Sequence, residues 1–311
     1  MRNTILVVAG PTAVGKTDIA IQLALRFNGQ IVSCDSMQLY KHMDIGSAKP
    51  TAAQLAMVPH HLIGVVDPKE AFSVVQYQQM AKAAIVEIFH QDQLPVIAGG
   101  TGLYLNSLLF EMDFGANPGS PEGRASLFGI AESQGNEALH DMLQRLDPEA
   151  AERIHPNNVK RVVRAIEAVR HSGVGLSDFS SVQKRTTDYD VVLIGLTRDR
   201  SELYHRIEAR VDQLMDLGLL EEVKTLQNMG FTSKDIAMKG IGYKELLDHL
   251  DGAYDLPTAI DLIKKNTRHY AKRQLTWFKR YSDMEWFNLS EDQNEGESLE
   301  RIVAWLNKRK L

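Results

Sequence analysis

The chain holds a single cysteine, Cys34, in 311 residues. One thiol excludes a disulfide framework within the chain and favours a reducing, cytoplasmic setting. Long apolar runs are also missing: no stretch approaches the roughly 18 residues that would cross a bilayer, so no membrane partner is expected. The opening Met1-Arg2-Asn3-Thr4 leads into a short apolar run without the cleavage pattern of a secretory signal. An excess of positive charge is absent too, since 35 Lys and Arg stand against 40 Asp and Glu for a net −5. That removes the global signature of a nucleic-acid binder. It leaves room for a local basic face, because steering depends on where charges sit. Internal repeats and low-complexity tracts are lacking as well. What remains, 44% hydrophobic and 24% charged residues, suits a soluble globular protein with one large domain, or one domain carrying a smaller one.

The pattern along the chain is strand and helix in alternation. Ile5–Ala9 is short, apolar and closed by Gly10, as a buried parallel strand should be. Thr17–Phe27 has helical spacing, "QIVSCD" ending at Asp35 reads as a second strand, and Val74–His90 as a helix. Pro95–Ala98 is another buried strand, broken by Gly99-Gly100. This alternation, with glycines at strand ends, predicts an α/β fold built on a parallel sheet. Asp113–Gly123 is rich in Gly and Pro and reads as a linker or exposed loop. Helical patterns run from Arg124 to about Arg170, and Ser172–Asp188 is polar and loop-like. Tyr189–Thr197 then returns to the sheet at Val191–Leu196. Residues 116–187 therefore read as a helical insertion into a core of 1–115 and 188–311. Mostly helix is expected from there on.

The sharpest local signal is "GPTAVGKT": Gly10, Pro11, Thr12, Ala13, Val14, Gly15, Lys16 and Thr17. It fits G-x-x-x-x-G-K-[ST] between a strand and a helix. Glycines let consecutive N–H groups point at phosphate oxygens, and the following helix adds its positive end. Lys16 can set a point charge on terminal phosphates, and Thr17 can hold Mg²⁺ through its hydroxyl. Chance produces this pattern in roughly one per hundred chains of this length, so phosphate binding is favoured over a plain glycine turn. The loop identifies the phosphates of a ligand and leaves the reaction open.

Two further strand ends should share a cleft with that loop, because ligands of open α/β sheets sit at the carboxyl edge. Asp35 ends the second strand. It can bind Mg²⁺ through water, act as a general base, or simply cap a helix or face solvent. In "AGGTGLY", Gly99, Gly100 and Gly102 allow close backbone approach, and Thr101 offers a hydroxyl near the phosphates or a cap to the next helix. His60 and His61 are adjacent, which suits a loop, and no cysteine cluster supports zinc there.

"TAIDLIKKNTRHYAKRQLTWFKRY" carries a second kind of signal. On a helical wheel Ile260, Ile263, Thr267, Tyr270, Ala271, Gln274 and Phe278 share one side. Lys265, Arg268, His269, Lys272, Lys279 and Arg280 share the other, with Arg273 placed there too and Lys264 at its edge. A second basic group is Lys160, Arg161, Arg164 and Arg170. Each is either a solvated helix face or a grip on a phosphate backbone.

Taken in order, "GPTAVGKT", "SCDSMQLYKHMDIGSAKPT", "PHHLIG", "PVIAGGTGLYLNSLL", "RIHPNNVKRVVRAIE", "GIGYKE" and "NTRHYAKRQLTWFKR" resemble the bacterial tRNA dimethylallyltransferases, also called tRNA isopentenylpyrophosphate transferases. The resemblance covers nearly the whole chain. It implies a P-loop NTPase-like parallel sheet flanked by helices, with an inserted small helical domain. It also implies transfer of a dimethylallyl group from dimethylallyl diphosphate to N6 of the adenosine 3′ of the anticodon, in tRNAs reading codons that begin with U. Mg²⁺ as cofactor, the tRNA anticodon stem-loop as partner, and a monomer in the cytoplasm come with it. By the same resemblance Asp35 is the general base, Thr101 lies near the diphosphate and the channel, and Lys16 and Thr17 meet the diphosphate and the metal. Ser36, Met37 and Gln38 contact the target nucleotide. Arg124, Val159, Lys160, Arg161, Val162 and Val163 are placed with the tRNA contacts of the insertion. Lys239, Gly240, Ile241, Gly242, Tyr243 and Lys244 form another tRNA-contacting segment. Arg206 and Arg210 fall in a helix resembling one that supplies a diphosphate-binding arginine, and either fits. Gly64 and Asn158 depart from the family pattern, where aspartates are frequent; neither position carries the proposed chemistry.

Three rivals share the phosphate loop. A small-molecule kinase needs Lys16, Thr17 and an acidic strand end but leaves the basic helices unexplained. A prenyltransferase of free adenine nucleotides has no need of them either. A nucleotide-switched RNA-binding protein uses them and forms no covalent product.

Overall fold

A computed structural model of the chain describes residues 3–111, 120–172 and 184–309. Its core opens with β1 (Thr4–Ala9), α1 (Lys16–Arg26), β2 (Gly29–Ser33), α2 (Ala52–Met57) and β3 (His60–His61). It continues with α3 (Val74–His90), β4 (Leu94–Gly99) and α4 (Gly102–Leu109). Four helices follow, α5 (Pro121–Gln134), α6 (Asn136–Leu146), α7 (Pro148–Arg153) and α8 (Val159–Ser172). The remainder is β5 (Asp190–Thr197), α9 (Arg200–Asp216), α10 (Leu219–Asn228), α11 (Tyr243–Leu250), α12 (Leu256–Phe278), β6 (Glu285–Asn288) and α13 (Glu295–Lys308).

The six strands form one sheet in the order β3-β2-β4-β1-β5-β6, and every pairing is parallel. Its central strand β1 is buried along Ile5–Ala9, between Val96–Gly99 of β4 and Val191–Gly195 of β5. A parallel strand covered on both faces must be a continuous apolar run, which is what "ILVVA" supplies. Since all strands run one way, the segments after β1, β2 and β4 emerge on one edge from three adjacent strands. Local chemistry fixes the helix starts. The Ser73 side chain accepts from the Gln76 amide and Gln76 reciprocates at α3, and Asp255 accepts from the Thr258 amide at α12; such caps satisfy amides the helix leaves free.

Two strands escape the pattern of the sequence. His60 and His61, expected in a loop, form the two-residue edge strand β3 beside Ile31 and Val32. β6 lies in a region expected to be helical. It pairs with β5 and buries Phe287 edge-to-face against Trp305 of α13, centroids 5.8 Å apart. Its four residues are too few for a legible alternation.

The chain divides into two compact units, Met1–Leu109 with Thr186–Leu311, and Phe110–Arg185. The second has its own core of Leu127, Leu139, Leu143, Val162, Ala165 and Ile166, drawn from α5, α6 and α8. The expected loop Asp113–Gly123 ends early, because Ser120 caps α5 and the helix begins at Pro121. Positions 112–119 and 173–183, which hold most of the two expected loops, lie outside the described residues. Among the described residues no helix is long and apolar enough to cross a membrane.

Candidate active site

The phosphate loop joins β1 to α1. Gly15 caps the helix with φ of 108°, a left-handed conformation that side chains with a Cβ avoid. Ala13 also has a positive φ, 62°, and for a non-glycine residue such a backbone persists only where its surroundings hold it. Two arginines do so. Arg206 Nε donates to the Ala13 carbonyl at 3.0 Å, and Arg198 Nε donates to the Val14 carbonyl at 2.9 Å. Both guanidinium groups also reach Glu295 Oε1 at the start of α13, at 3.3 and 3.0 Å. Arg198 has no counterpart in the sequence reading. It follows a strand as one charged residue among many, and only the fold turns its buried side chain under the loop.

The loop opens on a cleft of about 850 Å³. Lys16 lines it and donates Nζ to the Pro11 carbonyl at 2.7 Å. Burial pushes this ammonium down to about 8, against the pull of Asp35, and Arg210 pushes the same way as burial. Arg210 lines the cleft from α9. Burial lowers its basicity, while Asp35 and Asp18 support its charge. Among the described residues it has no ion-pair partner, so its charge is available to a ligand. The two candidate arginines both line the cleft but differ in their partners: Arg206 is committed to the Ala13 carbonyl and Glu295, and Arg210 has no ion-pair partner among the described residues. Thr17 lines the same space.

Asp35 follows β2 and lines the same cleft. Its Oδ1 accepts the Met37 amide at 2.9 Å, which holds the carboxylate in a tight turn at the cleft. Thr101 braces that turn. Its hydroxyl accepts the Ser36 amide at 3.0 Å and donates to Ser36 Oγ at 3.3 Å, while its own amide donates to the Cys34 carbonyl at 3.0 Å. Tyr270 of α12 lines the cleft, and burial raises its hydroxyl pKa while Thr101 acts in the opposite direction. Gln38 is fixed by Ser33 Oγ at 3.0 Å and by its own donation to the Ala48 carbonyl at 3.2 Å. Cys34 is buried and pushed up to about 12, which keeps it a neutral thiol.

Lys239, Gly240, Ile241 and Gly242 line the cleft together with Met37 and Gln38. Tyr243 is fully buried beneath them and Lys244 is exposed. In α12 the inward side lies as expected, with Ile263, Ala271, Gln274 and Phe278 buried. The basic side needs correction. Arg273 lines the cleft with Tyr270 instead of joining the outward face. Lys264 and Arg268 are engaged by Asp212 and Glu208 of α9, both at 2.6 Å. Lys265, His269, Lys272, Lys279 and Arg280 remain exposed.

In the Phe110–Arg185 unit, Val162 and Val163 are core residues, whereas Lys160 and Arg161 are exposed. Arg124 makes a forked pair with Glu167, Nε to Oε1 at 3.0 Å and Nη2 to Oε2 at 2.9 Å. Among the described residues, no group of three or more His, Cys, Asp or Glu gathers as a metal site.

Comparison with known proteins adds four observations. Residues 38–281 match the model of the family described as IPP transferase. The chain is 50% identical over 290 residues to a tRNA dimethylallyltransferase of Alkaliphilus oremlandii, covering 93% of each chain. Its structure is similar to that of the full-length tRNA isopentenylpyrophosphate transferase of Bacillus halodurans (TM-score 0.74, 41% identity, 99% and 98% of the two chains). It is also similar to a eukaryotic dimethylallyltransferase acting on tRNA (TM-score 0.78, 29% identity), covering 92% of this chain and 73% of that one.

Proposed function

The chain belongs to the IPP transferase family and acts as a prenyltransferase on tRNA, and from that premise we propose the finer reaction. A dimethylallyl group passes from dimethylallyl diphosphate to N6 of the adenosine 3′ of the anticodon, in tRNAs reading codons that begin with U, with release of diphosphate. The observation that carries this reading is one cleft lined by both the phosphate loop and Asp35, from the ends of β1 and β2, the two strands that flank β4.

In this reading the loop amides and the start of α1 hold the diphosphate, and Lys16 and Arg210 meet its charge. Thr17 is a donor that fits a Mg²⁺ ion completed by ligand phosphate oxygens and water, and the described residues offer no protein-only cage. Bound through Thr17, Mg²⁺ would supply further neutralisation of the leaving group. The adenine N6 is a weak nucleophile because its lone pair is delocalised into the ring. As the N6–carbon bond forms and the carbon–oxygen bond to diphosphate breaks, the electron pair leaves with the diphosphate. Asp35 takes the N6 proton. Thr101 holds the Asp35 turn through Ser36. The target base must leave its stack to enter the cleft, and the exposed cations of α12 suit the RNA backbone.

The test is incubation with labelled dimethylallyl diphosphate, Mg²⁺ and bulk tRNA, followed by digestion. N6-dimethylallyladenosine is expected. Label on free AMP in place of tRNA, or steady ADP formation from ATP, would sink this assignment. Asp35→Asn should lower the transfer rate about 10²–10⁴-fold with tRNA still bound; near-wild-type transfer would reassign the base.

A further inference from the structure

Gln274 lies in α12 and is 5% exposed, yet both ends of its carboxamide are hydrogen-bonded. Oε1 accepts the Thr12 amide at 2.9 Å, and Nε2 donates to the Gly100 carbonyl at 2.9 Å. Thr12 belongs to the phosphate loop after β1, and Gly100 to the turn after β4. These strands are neighbours, and their ladder ends at Ala9 opposite Gly99. The amide therefore bridges the two loops just past the last rung, where the sheet no longer holds them in register. Space for it exists because residue 100 is glycine: a Cβ there would lie 2.1 Å from Nε2. The next residue, Thr101, holds Ser36 and so the Asp35 turn. One amide thus joins the wall that holds the leaving group to the wall that holds the base. A buried amide is not required for packing at a site flanked on α12 by Ala271 and Phe278. Polar groups in such positions are retained where their hydrogen bonds specify one arrangement.

We propose that Gln274 is a positioning residue of the transfer reaction. It fixes the span between the phosphate loop and the Thr101–Asp35 turn, and with it the reach from the attacking nitrogen to the allylic carbon. Gln274 itself touches no reacting atom. The inference rests on the transferase reading given above. Donor binding draws chiefly on one wall and nucleotide binding on the other, whereas transfer needs both in register. Loss of the bridge should therefore appear in the rate of transfer and leave affinity nearly intact.

The experiment uses the full chain with tRNA, Mg²⁺ and labelled dimethylallyl diphosphate, under single-turnover conditions. Gln274→Met keeps the volume and removes both bonds. Gln274→Glu keeps an acceptor for Thr12 and loses the donor to Gly100. For the Met variant, transfer is expected to fall about 10–100-fold, the scale of a misplacement near 1 Å. Equilibrium affinities for donor and tRNA should stay within about threefold, while the unfolding midpoint falls modestly because the Thr12 amide and the Gly100 carbonyl each lose a partner. Transfer at the wild-type rate overturns the proposal. So does a joint fall of rate, both affinities and midpoint, which marks a packing role alone. Should the Met variant fail to fold, the Glu variant is judged by the same criteria. Wild-type protein that forms no prenylated tRNA in the parallel reaction refutes the transferase reading instead, so the two failures are told apart.

Discussion

The Tyr243 hydroxyl donates to Glu222 Oε1 at 2.7 Å, and that carboxylate also receives the amides of Asp44, Ile45 and Gly46 at 2.8, 2.7 and 3.0 Å. The Ser47 amide donates to the Tyr243 oxygen at 3.1 Å. A piece of cleft wall outside any helix or strand is thereby held from below by one carboxylate and one phenol. Removing the phenol oxygen leaves the Ser47 amide without its acceptor. Tyr243→Phe is expected to cost about 1–2 kcal/mol of stability, read by denaturant unfolding, and to speed amide exchange at 44–47. Unchanged exchange there would remove this role from the pair.

Lys16 gives a pH signature. Its ammonium is held down to about 8 in the free protein, and only the protonated form adds charge to a bound diphosphate. Diphosphate favours that form, so the pKa rises on binding and a proton is taken up above about pH 8. Donor affinity should accordingly be flat below that pH and weaken as pH climbs through it. Lys16→Met should bind more weakly throughout and lose this inflection. Calorimetry with inorganic diphosphate from pH 6.5 to 9.5 tests both; an identical inflection in the variant would assign it to another group.

Arg206 and Arg210 should separate in their effects. Arg210→Ala removes a cleft cation that has no ion-pair partner among the described residues, and is expected to weaken inorganic diphosphate binding about tenfold or more with little change in stability. Arg206→Ala removes the donor that holds the Ala13 carbonyl, so thermal stability should fall along with affinity. Unfolding midpoints measured beside the titrations distinguish them, and the reverse pattern would exchange the roles.

The exposed cations of α12 predict a salt effect. If Lys265, Lys272 and Lys279 each neutralise a phosphate, every Lys→Ala change should lower the slope of log affinity against log salt by about 0.7–0.9. Filter binding of tRNA over a salt series measures this, and parallel slopes would return these lysines to a solvated face.

The sequence makes the phosphate loop, β1, β4, β5 and the bounds of α3 legible, because each is a local pattern: an apolar run, a glycine spacing, or a cap. Asp35 and Thr101 can be placed near the loop by the rule that strand ends in a parallel sheet open on one edge. The braces behind them are of another kind. Arg198, Glu222 and Gln274 act on partners 184, 177 and 262 residues away along the chain (Val14, Ile45 and Thr12), and no local spacing encodes such a distance. The helical wheel put Gln274 on the inward side of α12, yet the wheel has no means of saying what its amide would meet. Arg273 shows the opposite limit. A wheel sorts residues by angle alone, and α12 bounds an open cleft where an arginine can face inward and remain exposed.

The clamp on Ala13 and Val14 has a consequence for how the molecule comes into being. Residues 10–17 are made before the groups that fix their backbone, Arg198, Arg206 and Gln274, and before Glu295, which pairs with both arginines. A ribosome releasing this chain has emitted the loop long before its supports exist, and β1 itself waits for β5. Phosphate binding therefore waits for the chain to be made through α13, and capture of a diphosphate can report that α13 has docked.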